Sequence, residues 1–266
     1  MGRRFGQHFL HHPPTLDAIL AAAAVRQGEP VLEVGPGPGA LTERLLEAGA
    51  RLTVVEVDPE LAGSLNARWG SNPAFRLIQG DVLKTPLEPA ILFGSETPYA
   101  VVANLPYYLS TPLLFRLIRM RRQLSRLVLM VQKEVALRMA ASPEDGKEYG
   151  SLSVAMGHVF TVRKIRSVPP GAFRPPPRVE SAVVHLAPRE ATLTPEQEGA
   201  FMEHVKHLFT RRRKLMRSTL RAAWPETSEA VWEAVEPIVG DLRPEVLTPE
   251  AHLLVFQLLN GLPVSK

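Results

Sequence analysis

Between residues 30 and 140 the apolar positions fall into short strand-like runs separated by segments with helical spacing. The runs are Val31–Val34, Leu52–Val57, Phe75–Ile78, Val101–Ala103 and Leu127–Val131. Short, predominantly apolar runs of this length suit buried strands. The intervening pieces, Ala40–Glu47, Pro59–Arg68, Pro112–Arg119 and Lys133–Ala140, read as helices. Such alternation predicts a parallel sheet wrapped by helices. Two later strand candidates, Val159–Val168 and Ala182–Leu186, bracket the segment PPGAFRPPP, whose prolines impose a stiff, extended path. After Pro188 helical spacing takes over, with breaks at Pro225, Pro237, Pro244 and Pro249. The expected organisation is therefore an α/β domain over residues 1–188 and a small all-helical domain over 189–266.

Composition narrows the chemistry. With 266 residues and 45% apolar content the chain can build a sizeable core. It has no cysteine, which excludes disulfides, thiolate zinc sites and cysteine nucleophiles. The apolar stretch from Leu16 to Val25 is short and carries Asp17, so a secretory signal is not expected, and no run is long enough to span a membrane. A cytoplasmic protein is the expectation. Net charge is only +4 although the sequence pI is about 9.6. The basic residues gather at Arg116, Arg119, Arg121, Arg122 and Arg126, and again at Arg211, Arg212, Arg213, Lys214, Arg217 and Arg221. Two such clusters favour a polyanionic partner. If residues 208–223 form one helix, Leu208, Leu215, Met216 and Ala222 share one side, and Arg213, Lys214, Arg217 and Arg221 the other. Arg212 then sits awkwardly toward the apolar side.

Four strand ends carry candidate chemistry. VLEVGPGPG at Val31–Gly39 feeds a buried strand into a glycine loop that opens a helix, and such a loop lets a nucleotide-type ligand approach the backbone. The next strand ends at Glu56, at the spacing where a carboxylate grips ribose hydroxyls. Gly35, Gly37 and Ala40 also satisfy the dinucleotide pattern, which keeps a nicotinamide or flavin enzyme open as an alternative. Asp81 follows the third strand, where it can accept from an adenine amino group or simply cap a turn. Asn104, Leu105, Pro106 and Tyr107 close the fourth. There a carboxamide oxygen and a peptide carbonyl can both accept from one exocyclic amino group while a phenol ring stacks on the base that carries it. Together the four ends suit S-adenosylmethionine, which has no pyrophosphate, and a flipped-out adenine; no metal is required.

These residues resemble the KsgA-type ribosomal RNA adenine dimethyltransferases nearly end to end. The resemblance runs through FGQHFL at Phe5–Leu10, EVGPGPGALT, VVEVD, GDV, NLPY, FRPPPRVESAVVHL from Phe173 and LFTRRRKLMRSTL from Leu208. His8 stands where that family more often has asparagine. The resemblance implies a Rossmann-like class I methyltransferase with a mostly parallel seven-stranded sheet plus the helical C-terminal domain. It implies that His8, Leu10, Gly35, Glu56, Asp81 and Asn104 surround S-adenosylmethionine. It further implies that Asn104 and the Leu105 carbonyl orient the target nitrogen, with Pro106 in the same tetrad, that Tyr107 stacks on the adenine, and that Phe173 approaches it from elsewhere. Arg211, Arg213, Lys214, Arg217 and Arg221 are the expected RNA contacts. The implied reaction is N6,N6-dimethylation of two adjacent adenosines in the 3′-terminal hairpin loop of 16S rRNA during small-subunit biogenesis, by a monomer acting on the subunit or its precursor. The rivals are an erythromycin-resistance-type 23S rRNA adenine methyltransferase and a non-catalytic RNA-binding assembly factor.

Overall fold

A computed structural model describes residues 8–264, so Phe5, Gly6 and Gln7 of the N-terminal motif, together with Arg3 and Arg4, lie outside the described residues. The strands are β1 (Phe9–Leu10), β2 (Pro30–Val34), β3 (Arg51–Glu56), β4 (Phe75–Gln79), β5 (Tyr99–Asn104), β6 (Leu124–Gln132), β7 (Phe160–Val168), β8 (Phe173–Arg174) and β9 (Ser181–Pro188). Seven form one sheet in the order β4-β3-β2-β5-β6-β9-β7, and β1 pairs with β8 in a separate two-stranded ladder. From β4 across to β6 every pairing is parallel, and β9 runs antiparallel to β6. All seven apolar runs became sheet strands.

The helices are α1 (Pro13–Ala23), α2 (Ala40–Glu47), α3 (Pro59–Trp69), α4 (Pro89–Phe93), α5 (Tyr107–Arg119), α6 (Lys133–Ala140), α7 (Ser151–Val159), α8 (Pro195–Thr210), α9 (Met216–Ala223), α10 (Glu229–Val239) and α11 (Pro249–Leu259). Pro at the first turn and Asp58 as cap start α3, the Asp58 carboxylate accepting from the Glu60 amide at 2.9 Å. The Leu16–Val25 stretch is largely α1, with Leu16, Ile19 and Ala23 buried against the sheet's hydrophobic cluster.

Parallel strands need crossovers, and here β2 to β4 step outward in one direction while β5 and β6 step outward in the other. The reversal falls between β2 and β5, and open α/β sheets bind ligands beyond the carboxyl ends at that point.

The chain divides into two compact units. One takes the residues up to Ala136 and Val162–Pro188; the other takes Leu137–Thr161 and the chain from Arg189 onward. The linear division at residue 188 therefore differs from the observed one in its assignment of Leu137–Thr161. The reason is burial. Tyr149 and Val154 share a hydrophobic cluster with Leu193, Phe201, Val205 and Phe256, and the Tyr149 hydroxyl donates to the Leu247 carbonyl at 2.7 Å. A second cluster in the same unit gathers Leu208, Met216, Leu220, Trp232, Val235 and Val255.

The helical unit also buries histidines. His204 lies 4.9 Å from the Trp224 ring and 5.5 Å from the Phe256 ring, while His252 Nε2 meets the Pro244 carbonyl at 2.9 Å. Burial pushes His204 down to about 3, helped by the neighbouring His252 and His207, and pushes His252 down to about 4. Both rings are neutral in folded and unfolded chains above pH 6.5, where their packing contributes fully. As pH falls below 6.5 the unfolded chain takes up protons that the folded unit refuses, and by pH 5 each histidine costs about 2 kcal/mol. Thermal unfolding followed from pH 7 to 4.5 should show a steep loss of melting temperature that His204→Phe makes shallower; parallel curves for the two proteins would contradict this.

Candidate active site

Backbone hydrogen bonds carry the sheet ladder one step past its carboxyl edge and so set the loops at one level. The Gly35 amide donates to the Val55 carbonyl at 3.0 Å, the Gly80 amide to Glu56 at 2.8 Å and the Leu105 amide to Met130 at 3.0 Å. Beyond this rim lies a cavity of about 360 Å³. That size is within the range of small-molecule sites. His8, Leu10, Gly35, Glu56, Asp81, Asn104, Leu105, Pro106, Tyr107 and Phe173 all line it. Every residue expected around the cofactor or the target base thus borders one space.

The glycine loop approaches the rim in a conformation other residues rarely adopt. Gly37 has φ +59°, and a Cβ there would meet the Phe9 ring at 2.9 Å. Its amide donates to Glu56 Oε2 at 3.2 Å, while the Asp58 amide donates to Oε1 at 2.9 Å. Burial raises the Glu56 carboxyl above its ordinary value, with these two donors working against the rise. Glu56 is fixed in place with acceptor capacity to spare, as gripping a diol requires.

Asp81 caps a turn at the cavity edge. Its Oδ1 accepts from the Leu83 amide at 2.9 Å, forming a turn, and the residue still borders the cavity.

Asn104 ends β5, opposite Met130 of β6. Its Nδ2 donates to the His8 carbonyl at 3.3 Å, which commits the amide nitrogen and leaves the oxygen as the acceptor. His8 is held in turn: Nδ1 meets the Pro175 carbonyl at 2.7 Å, and the ring lies 5.8 Å from Tyr107. The Tyr107 hydroxyl and Ser181 Oγ are 2.8 Å apart, which anchors the phenol at its far end, and burial raises its pKa. These contacts hold the His8 side chain at the cavity wall. Phe173 is buried, belongs to the cluster that includes Leu10 and Leu16, and borders the cavity from β8. In the β1–β8 ladder Phe9 faces Arg174 and Leu10 faces Phe173, and the peptide bond from Arg174 to Pro175 is cis.

The expectation of one amphipathic helix over 208–223 is corrected. α8 ends at Thr210, α9 begins at Met216, and residues 211–215 form a turn. Leu215, expected on the apolar side, is exposed, and so is Ala222. Arg212 causes the break: it pairs with Glu245 and donates to the Gly146 carbonyl at 2.8 Å and the Lys147 carbonyl at 3.1 Å. Straightening the segment into a helix would abandon these bonds. Arg217 pairs with Glu236 at 3.0 Å and Asp241 at 3.2 Å. Arg221 pairs with Glu229 and lies 4.8 Å over the Trp232 ring. Arg211, Arg213 and Lys214 are exposed on the turn. The earlier cluster is likewise partly structural: Arg116 donates to the carbonyls of Val82 and Thr85, and Arg126 pairs with Glu29 and holds that carboxyl below its usual range.

Among the cavity residues that the sequence did not single out are Tyr108 and Glu33. Tyr108 follows the tetrad and borders the cavity while remaining exposed. Glu33 lies inside β2, almost wholly buried, and accepts from the Thr42 hydroxyl at 2.7 Å. The acid interrupting the apolar run VLEV was the available signal. Burial, reinforced by the Glu56 charge and opposed by Thr42, pushes Glu33 up to about 8. A carboxyl raised in the fold contributes fully below pH 4.5, and that contribution fades as pH rises toward 8, because only the unfolded chain ionises freely. In the ligand-free protein, Glu33→Gln, which keeps an acceptor for Thr42, is expected to raise the melting temperature at pH 7.5 and to leave it unchanged at pH 4.5. A pH-independent effect would mean that Glu33 is already ionised in the fold.

Comparison with known proteins agrees with this geometry. The family model described as "Ribosomal RNA adenine dimethylase" matches residues 1–257. The chain is 42% identical over 265 residues to Ribosomal RNA small subunit methyltransferase A of Pseudomonas syringae pv. syringae (strain B728a), covering 99% of this chain and 96% of that protein. It is 40% identical to the protein of the same name from Synechococcus sp. (strain RCC307), covering 97% and 96%. A dimethyladenosine transferase from Plasmodium falciparum shares the fold with a TM-score of 0.79 at 24% identity, covering 96% of this chain and 98% of that one. The 23S rRNA methyltransferase ErmE superposes with a TM-score of 0.73 at 26% identity, covering 95% and 99%. The sheet, the cavity and these matches together place the chain in the ribosomal RNA adenine dimethylase family, whose members are S-adenosylmethionine-dependent rRNA adenine dimethyltransferases.

Proposed function

We propose that this protein dimethylates N6 of two adjacent adenosines in the 3′-terminal hairpin loop of 16S rRNA, acting as a cytoplasmic monomer on the small subunit or its precursor during biogenesis. The observation that carries the reading is the convergence on one cavity of Asn104, Leu105 and Tyr107 with Glu56 and Asp81. Identity favours the small-subunit target: 42% to small-subunit methyltransferases against 26% to the 23S enzyme.

The residues present fit S-adenosylmethionine. Glu56, with two backbone donors fixing it, would take the ribose, Asp81 the adenine amine, and the loop around Gly35 and Gly37 would lie along the remainder; Leu10 and His8 would close one wall. When bound, the group supplies an activated methyl on a sulfonium.

The chain's own residues then prepare the acceptor. An exocyclic adenine amine is a poor nucleophile because its lone pair is delocalised into the ring. Asn104 Oδ1 and the Leu105 carbonyl, accepting its two hydrogens out of the ring plane, favour a pyramidal nitrogen whose lone pair can point at the methyl. Tyr107 and Phe173 hold the base so that approach is in line, and alignment of this kind supplies several kcal/mol of the barrier. The substituted ammonium loses its proton readily, so a second transfer needs only room for one methyl. A base in a single-stranded loop unstacks at low cost, which favours a loop target. Arg211, Arg213 and Lys214 on the exposed turn would hold phosphates, with Arg217 and Arg221 contributing only insofar as RNA displaces their carboxylate partners.

Methyl transfer to small and large subunits purified from cells lacking this protein, read by mass spectrometry of modified adenosines, tests the proposal. Dimethyladenosine in small subunits is expected; labelling confined to large subunits would overturn it in favour of the erythromycin-resistance-type reaction. Asn104→Ala should lower kcat by about 100-fold or more, as does loss of one fixed polar contact to a reacting group elsewhere, with subunit binding retained. Full activity in that variant would remove Asn104 from its assigned role. Reversing charge with Arg213→Glu and Lys214→Glu should weaken subunit binding and flatten its salt dependence by about one unit of log slope per lost phosphate contact. An unchanged salt slope would take RNA contact away from the turn.

A further inference from the structure

Helix α5 begins at the tetrad, and its two sides differ sharply. Leu109, Leu113, Leu114, Leu117 and Ile118 are buried. Tyr108, Pro112, Phe115 and Arg119 are exposed and recur at intervals of four, three and four, so they form one stripe along the outer face. Tyr108 borders the cavity, and Tyr108 and Phe115 are among the most exposed large apolar side chains of the described residues, at 54% and 43%. Leaving two rings in water costs free energy unless something covers them.

We infer that this face of α5 is a stacking platform for single-stranded RNA flanking the target adenosine, with Tyr108 and Phe115 meeting bases and Arg119 meeting phosphate. The inference rests on the proposed RNA substrate and extends it to the nucleotides beside the reacting base. Two observations select RNA over other occupants. The stripe is continuous with the cavity proposed to receive the base, and it passes from rings to a guanidinium group at Arg119, the combination of aromatic and positive surface found in single-strand grooves. Seven residues of helix rise about 10 Å, the length of about three stacked nucleotides. RNA leaving the cavity past Tyr108 therefore reaches Phe115 without crossing other structure on the helix. Stacking of this sort tolerates any base, so the platform holds the loop in register while the cavity chooses adenine.

Steady-state methylation of small subunits by wild-type protein, Phe115→Ala and Phe115→Trp tests the platform, with S-adenosylmethionine affinity and melting temperature measured alongside. Phe115→Ala should raise KM for the subunit about tenfold, the worth of one stacked base, with cofactor affinity and melting temperature unchanged, and Phe115→Trp should restore KM. Because the chain has no cysteine, Thr111→Cys provides a single thiol on the same face for a short photocrosslinker, which should attach to nucleotides beside the dimethylated pair. A wild-type KM for Phe115→Ala, or crosslinks remote from the target loop, would overturn the platform while leaving the methylation reading intact. An unaltered KM accompanied by a wild-type dimer that Phe115→Ala dissolves would overturn it too, assigning the face to a second copy of the chain. If wild-type protein modifies no small subunits at all, the substrate reading fails first and the platform with it.

Discussion

The site depends on the fixation of one carboxamide. Asn104 ends a strand whose backbone is hydrogen-bonded between β2 and β6, and its side-chain nitrogen is tied to the His8 carbonyl. The oxygen is therefore turned to accept. An amide free to rotate would present donor and acceptor alternately, and only the acceptor can draw hydrogen from an adenine amine. The His8 carbonyl can do this because β1 is paired with β8, which brings the N-terminal motif and the proline-rich motif to the same wall. Two residues of ladder thus couple segments far apart in sequence to the loop where the base would sit.

The carboxyls of the site divide by environment. Glu56 and Glu33 come from neighbouring strands, yet Glu56 receives two backbone donors at the cavity edge and Glu33 receives one hydroxyl inside the sheet. The first is equipped to bind a polar ligand as an acceptor. The second is held near neutrality by burial, which spares the site two adjacent negative charges. Preorganised acceptors of this kind suit a reaction in which the protein must aim an electron pair rather than move a proton far.

The basic residues separate by role in a similar way. Arg116, Arg126 and Arg212 donate to backbone carbonyls and shape loops, while Arg213 and Lys214 stand exposed on the turn between α8 and α9. Charge clustering in the sequence cannot separate these settings, because a guanidinium that satisfies carbonyls and one that stands in solvent look alike in one dimension. Only the position of the carbonyls and of Glu245 tells them apart.

Most of the sheet was legible in one dimension, because strands buried on both faces are predominantly apolar; the glycine loop, Glu56, Asp81 and Asn104 follow because each sits where such a run ends. The sequence also carried the motifs by which NLPY and FRPPP mark the family. The remainder was set by packing between distant segments. The pairing of Phe9–Leu10 with Phe173–Arg174 is too short to leave a periodic trace, and the membership of Leu137–Thr161 in the helical unit depends on which core Tyr149 and Val154 enter. The break between α8 and α9 was hidden because helical propensity is local, whereas the bonds that bend the chain at Arg212 run to Gly146, Lys147 and Glu245. Local pattern fixes what a segment prefers; contacts between distant segments fix where it stops and what it faces.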